Sequence, residues 1–108
     1  MNVEQYQLVL VNLDPTIGSE IRKTRPCVII SPDEMNRNLQ TIVIAPVTSS
    51  QNAYPTRVKI DHYQVYGQIA LDQIRTIDKR RIIKILGELQ KPEIKKVKEV
   101  LQATYVDN

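Results

Sequence analysis

Three short segments hold the residues best suited to chemistry on a phosphodiester. Gly18-Ser19-Glu20-Ile21-Arg22-Lys23-Thr24-Arg25-Pro26 crowds three cations and a carboxylate into a turn-like stretch just before an apolar run. Pro46-Val47-Thr48-Ser49-Ser50 and Asp72-Gln73-Ile74-Arg75-Thr76-Ile77-Asp78 each follow a β-like run. The planar fork of a guanidinium fits phosphate oxygens and stays charged at any relevant pH, and a threonine hydroxyl can donate to the same group. RNA brings its own nucleophile, the 2′-hydroxyl. A protein therefore needs mainly to align that hydroxyl, take its proton, protonate the leaving 5′-oxygen and hold the extra negative charge, none of which strictly requires a metal. In such a scheme Arg25 stabilises charge and can donate a proton, while Thr48 pins a non-bridging oxygen. Neither is a general base, because arginine holds its proton with a pKa above about 12.

Three residues could accept the proton if their surroundings shifted their pKa: Glu20, Asp72 and His62. His62 lies in Asp61-His62-Tyr63-Gln64, a stretch that reads as a connection between strands, where a lone histidine is ordinarily a surface residue. Glu20 stands five residues before Arg25. A salt bridge to Arg22 or Lys23 suits it equally well, and both roles stay open. The lone cysteine, Cys27, sits in Cys27-Val28-Ile29-Ile30 and reads as a packed core thiol.

The elements that must position these groups fit one domain spanning 1–108, since 108 residues can bury a single core and divide poorly into two. Hydrophobic residues at 42% and charged residues at 25% suit a globular protein, and no low-complexity stretch argues for disorder. The net charge of +3 leans only slightly towards polyanionic partners. Its distribution says more: Arg22, Lys23 and Arg25, then Lys79, Arg80, Arg81 and Lys84, flank the reactive segments, whereas Lys95, Lys96 and Lys98 fall on a helical pattern. A single cysteine excludes an intrachain disulfide or a multi-cysteine metal cage and fits a reducing cytoplasm. Met1 to Gln5 lacks a signal peptide's basic start and long apolar stretch, and no run reaches membrane-spanning length, so no membrane association and a cytoplasmic location are expected.

Gln7 to Leu13, closed by Asp14-Pro15, predicts a first strand, and Pro26 to Ile30 a second, with Gly18 in the turn between them. Ser31-Pro32-Asp33-Glu34 predicts a helix start, with Ser31 as N-cap and Glu34 in a capping box, and a short helix to about Asn38. Thr41–Ala45, Thr56–Ile60 and Gly67–Leu71 read as strands, and Ile82 to Leu89 as a last one. From Pro92 onward Ile94, Val97, Val100, Leu101 and Tyr105 recur at helical spacing, giving a terminal amphipathic helix whose lysines form a solvated face. Short strands with capping helices imply a mainly β (α+β) fold, a small antiparallel barrel or strongly curled sheet with function carried on loops. On such a barrel the Arg25, Thr48 and Asp72-Gln73 regions can converge.

Asp14-Pro15, Gly18-Ser19-Glu20, Arg25-Pro26, Pro46-Val47-Thr48, Tyr54-Pro55 and Asp72-Gln73-Ile74-Arg75 together resemble, in order, the signature blocks of the MazF/PemK family of toxins, ribonucleases that cut single-stranded RNA. The resemblance spans Val9 to about Leu101. It implies an SH3-like, CcdB/PemK-type barrel and a sequence-specific, metal-independent mRNA interferase without cofactors, leaving 2′,3′-cyclic phosphate and 5′-hydroxyl ends. Arg25 and Thr48 match the family's catalytic pair, with Glu20 implicated beside them. RNA contacts are expected from Asn12, Asp14, Thr16, Ser19, Ser49, Tyr54, Gln73 and Arg75, and sequence preference from the loops around 12–21 and 51–56, with Tyr54 either stacking on a base or stiffening a turn. The implied partners are single-stranded mRNA, a second copy of the chain, and a MazE-like antitoxin with a disordered acidic segment.

Two departures stand out. Some relatives carry a histidine in the first loop and an arginine two residues before the aspartate; here those positions are Ser19 and Ala70, which leaves Asp72 without that arginine and favours a structural role for it. Tyr6-Gln7 stands where many members have glycine and an acidic residue. Two rivals of other classes are a non-enzymatic, CcdB-like toxin that binds the topoisomerase DNA gyrase, and a plain nucleic-acid-binding module; retention of both Arg25 and Thr48 favours the enzyme.

Overall fold

Residues 2–13, 24–50, 52–62 and 65–107 are described in the computed structural model. The chain runs β1 (Gln7–Asn12), β2 (Thr24–Ile29), α1 (Asp33–Asn38), β3 (Thr41–Thr48), β4 (Arg57–His62), β5 (Val65–Ala70), β6 (Arg75–Asp78), β7 (Ile82–Glu88) and α2 (Lys91–Tyr105), with single 3-10 turns at Leu71–Gln73 and Lys79–Arg81. The expected turn around Gly18 lies outside the described residues.

Every pairing is antiparallel, in the order β4-β5-β3-β2-β1-β7, with β6 also on β3. β3 is the hinge of this sheet. Its first half pairs with β6 through Ile44↔Arg75 and its last two residues pair with β5 through Val47↔Ile69 and Thr48↔Gln68. Pro46, which has no N–H to give a ladder, sits between the two partners. Two register shifts between β1 and β7 add local bends, and the sheet curls into an antiparallel half-barrel.

Curling gives the sheet two apolar faces. On one, Leu8, Val28, Ala45, Val58, Ile69 and Leu71 pack with Val97 and Val100 of α2; on the other, Val9, Val11, Cys27, Ile29, Ile42, Ile44 and Ile77 form a second cluster. The predicted stripe on α2 is realised. Val97 and Val100 are buried, Ile94 and Leu101 pack at the margin, and the half-exposed Tyr105 ring sends its hydroxyl to the Leu71 carbonyl at 2.6 Å. A reciprocal capping box between Gln90 and Glu93, with Pro92 in the first turn, starts the helix.

Three expectations change. Ser31 does not cap α1: its buried hydroxyl donates to Asn36 Oδ1 at 2.5 Å and accepts the Val43 N–H at 3.0 Å. A buried hydroxyl must satisfy itself where partners exist, and β3 and Asn36 enclose this one. The helix therefore starts at Asp33 without a side-chain cap, and no capping box through Glu34 forms. Arg75–Asp78, expected as part of a loop block, is a strand, because pairing with Thr41–Ile44 supplies order that its mixed polarity does not advertise. Thr48 lies at the end of β3, not in a loop after it.

Tyr6 adopts φ 68°, the left-handed conformation that glycine takes freely and tyrosine seldom does. Its N–H donates to the Ile29 carbonyl at 2.7 Å and its carbonyl accepts from Leu89 at 2.9 Å, so the bend ties the ends of β2 and β7 together while the ring packs on the core.

Candidate functional site

The β2–β3 ladder pairs Ile29 with Ile44, Val28 with Ala45 and Cys27 with Pro46. The β2–β3 ladder ends at Cys27 and Pro46; its register, continued by two residues along each strand, sets Arg25 opposite Thr48 on one face, because strand side chains repeat every second residue. The Thr48 hydroxyl oxygen accepts the Ser50 N–H at 3.2 Å, which fixes the hydroxyl as the chain leaves the strand. Arg25 and Ser49 line a cleft of about 330 Å³ together with Thr24, Pro26, Val65 and Tyr66.

Cys27 reports on the charge around it. Burial pushes its thiol up to about 12, against the opposing pull of the Arg25 and Arg75 guanidiniums. Both cations thus act on one sulfur, although they come from strands on opposite sides of β3. The Cys27 thiol is fully buried, as its apolar run predicts, and at neutral pH it is no nucleophile. Asn12 pairs with Thr24, one residue from Arg25, and its carbonyl accepts from Arg81 at 3.3 Å. The structure thus brings Arg25, Thr48, Ser49 and Asn12 to the adjoining ends of β1, β2 and β3, whereas Arg75 stands further back on β6, opposite Ile44.

Tyr54 and Gln73 belong to a second group. Arg57, nearly buried, donates from Nε to Asp72 Oδ1 at 2.7 Å and from Nη2 to Oδ2 at 3.2 Å, and Thr56 Oγ1 donates to Oδ1 at 2.9 Å. The Arg57 guanidinium also lies 5.0 Å from the centre of the Tyr54 ring. Gln73 is exposed beside Asp72. Asp72 therefore has an arginine after all, delivered by the neighbouring strand, since Arg57 is the ladder partner of Ala70. Hydrogen bonds from Arg57, then Thr56, hold its carboxyl at about 2, which removes it as a proton acceptor near neutrality. His62 is the last residue of β4, not a connection, and pairs with Val65. Glu20, Asp14, Thr16 and Ser19 lie outside the described residues.

Sequence reasoning missed the outer face of β4 and β5. Thr48 of β3 pairs with Gln68 of β5, which pairs with Lys59 of β4; Tyr66 pairs with Asp61. The alternation Arg57-Val58-Lys59-Ile60-Asp61 was the available signal for one of these strands. Gly67 lets the sheet close at this point. It adopts φ +148°, and a Cβ there would lie 2.3 Å from the Thr48 carbonyl oxygen.

Comparison with known proteins agrees with this fold. The chain is 38% identical over 109 residues to endoribonuclease EndoA of Bacillus subtilis (strain 168), covering 94% of this chain and 93% of that protein. Among solved structures it resembles a MazE–MazF complex from Deinococcus radiodurans, with a TM-score of 0.84, 27% identity and 95% of each chain covered. It is also similar to MazF from the same organism, at TM-score 0.80 and 28% identity, covering 95% of this chain and 96% of that one. Residues 4–105 match the family described as PemK-like, MazF-like toxin of type II toxin-antitoxin system. With its curled antiparallel sheet and its terminal helix, the chain belongs to that family of PemK/MazF toxins.

Proposed function

We propose that this protein is a metal-independent endoribonuclease that cuts single-stranded RNA by attack of the 2′-hydroxyl on the adjacent phosphate, leaving 2′,3′-cyclic phosphate and 5′-hydroxyl ends. The observation that supports this reading is the β2–β3 register, which, continued by two residues, brings Arg25 and Thr48 to adjoining strand ends on one face. Arg25 sets its fork against the phosphate and stabilises the charge that develops in the transition state. Thr48, oriented by the Ser50 N–H, donates its own proton to a non-bridging oxygen. Arg75 adds positive potential from β6, and Asn12 and Ser49 border the path of the strand.

Of the three proton acceptors in the sequence, Asp72 is taken up by Arg57. Between Glu20 and His62, the family resemblance favours Glu20 as the base. The relative named endoribonuclease EndoA and the MazE–MazF assembly support the same reading. By extension, the protein acts as a toxin in the cytoplasm, pairs with a second copy of itself, and is held inactive by a MazE-like antitoxin whose disordered acidic segment covers the basic groove.

Purified protein incubated with a long single-stranded RNA in EDTA tests this. Cuts at a defined sequence with cyclic-phosphate ends are expected, and Arg25→Ala and Thr48→Ala should each abolish them with little change in melting temperature, since both sit at the sheet margin. Full cleavage by either variant would remove that residue from the mechanism, and RNA left intact by the folded wild type would refute the ribonuclease reading.

A further inference from the structure

We propose that the outer face of the β4–β5 hairpin is a subsite for one unpaired nucleobase of the RNA, next to the phosphate held by Arg25 and Thr48. The proposal rests on the ribonuclease reading for its substrate and adds where a base is read. A cleft of about 200 Å³ opens here, lined by Ser50, Lys59, Asp61, Tyr66 and Gln68 among others. This is smaller than the roughly 300–1,000 Å³ of pockets that enclose whole drug-sized ligands, and it suits a single flat heterocycle.

The chemistry of the lining points to a neutral ring with polar edges. Gln68 is only 7% exposed, yet among the described residues its carboxamide has no hydrogen-bond partner. A buried amide in that condition is unfavourable, and a ligand edge offering both a donor and an acceptor would satisfy it. Tyr66, 68% exposed on the same face, offers a flat ring on which a base can stack. Lys59 and Asp61 bring opposite charges to the same cleft, so it has no net attraction for a phosphate, whereas each can bond to a base edge.

Register ties this cleft to the cutting site. Thr48, Gln68 and Lys59 are successive ladder partners on β3, β5 and β4, so their side chains share a face at about 5 Å spacing. A base on Gln68 is therefore one strand away from a phosphate on Thr48. Gly67 maintains that spacing, because any side chain there would push against the Thr48 carbonyl.

The test compares wild type, Tyr66→Ala and Gln68→Met on short single-stranded RNAs varied at each position around the cut, with melting temperatures as a control for folding. In parallel it measures binding of the same RNAs carrying a 2′-deoxy group at the scissile position. Gln68→Met should relax preference at one position flanking the cut by about tenfold or more. Tyr66→Ala should weaken binding of the uncut RNA by about tenfold. Preference unchanged in Gln68→Met, or its activity reduced equally for every sequence, together with unweakened binding in Tyr66→Ala, would overturn the subsite while leaving the ribonuclease reading intact. Wild type that binds the RNAs without cutting them, and loses selectivity in Gln68→Met, would support the subsite and overturn the ribonuclease reading. A wild type that does neither would overturn both.

Discussion

Asp72 illustrates how a residue's neighbours decide its role. As a carboxylate in a matched block it was a candidate base, but the Arg57 fork and the Thr56 hydroxyl occupy both its oxygens and hold its carboxyl at about 2, below the ordinary 3.8. A carboxyl whose pKa is depressed in the folded state contributes stability that is fully present above about 3.8 and is lost as the pH falls towards about 2. Asp72→Asn should therefore destabilise the protein at pH 7, by about 1 kcal/mol or less because the carboxylate is partly exposed, and the difference should vanish in melts taken near pH 2. A difference that persists in acid would mean that the pair contributes through packing and not through charge. At Gly67 the constraint is steric: a methyl group 2.3 Å from a backbone oxygen forces β3 and β5 apart. We expect Gly67→Ala to cost about 1–3 kcal/mol and to slow RNA cutting beyond what its lower stability explains. Wild-type melting and cutting rates would show that the Thr48 carbonyl can move aside.

Among the elements, α2 is the one whose sequence announced it most clearly, and its attachment is the least obvious from sequence. Its apolar stripe, Pro92 and the capping box are all local features. What fastens its far end is a long-range bond from the Tyr105 hydroxyl to the carbonyl of Leu71, at the 3-10 turn that also presents Asp72 and Gln73. Tyr105→Phe keeps the ring and removes this bond. It should lower stability by about 1 kcal/mol, measured by denaturant titration, and speed amide exchange in the last turns of α2. Unaltered exchange there would indicate that Val97 and Val100 alone hold the helix. The other helix carries the opposite lesson. A cap read from the order Ser-Pro-Asp-Glu fails because Ser31 is buried against β3 and Asn36, so a tertiary contact outcompetes a local one.

At the scale of the molecule, two apolar clusters lie on opposite faces of one curled sheet, and β3 supplies residues to both, Ala45 and Val47 to one and Ile42 and Ile44 to the other. A shared strand should couple the clusters into one cooperative unit. Ile29→Ala and Ile69→Ala, at fully buried positions in different clusters, should each cost about 2–5 kcal/mol. Both should unfold in a single transition, and the double variant should show nearly additive losses, because the two sites share no cluster. Two separate transitions would mean that the faces fold independently. No helix among the described residues is long and apolar enough to cross a membrane.

The amino-acid order by itself determined six of the seven strands, both helices and the burial of Cys27. Each of these depends on local composition, on periods of two or 3.6 residues, or on a run of apolar neighbours. It also supplied the residue types of the proposed site, a guanidinium and a hydroxyl in matched blocks. Which side chains face each other was decided only by the fold. β6 exists because β3 offers it an edge, Asp72 is neutralised by an arginine fifteen residues away in sequence, and Thr48, Gln68 and Lys59 line up through two ladders. Cross-strand register and sheet curl are set by the packing of the whole sheet, so they leave no mark in the spacing of any one strand.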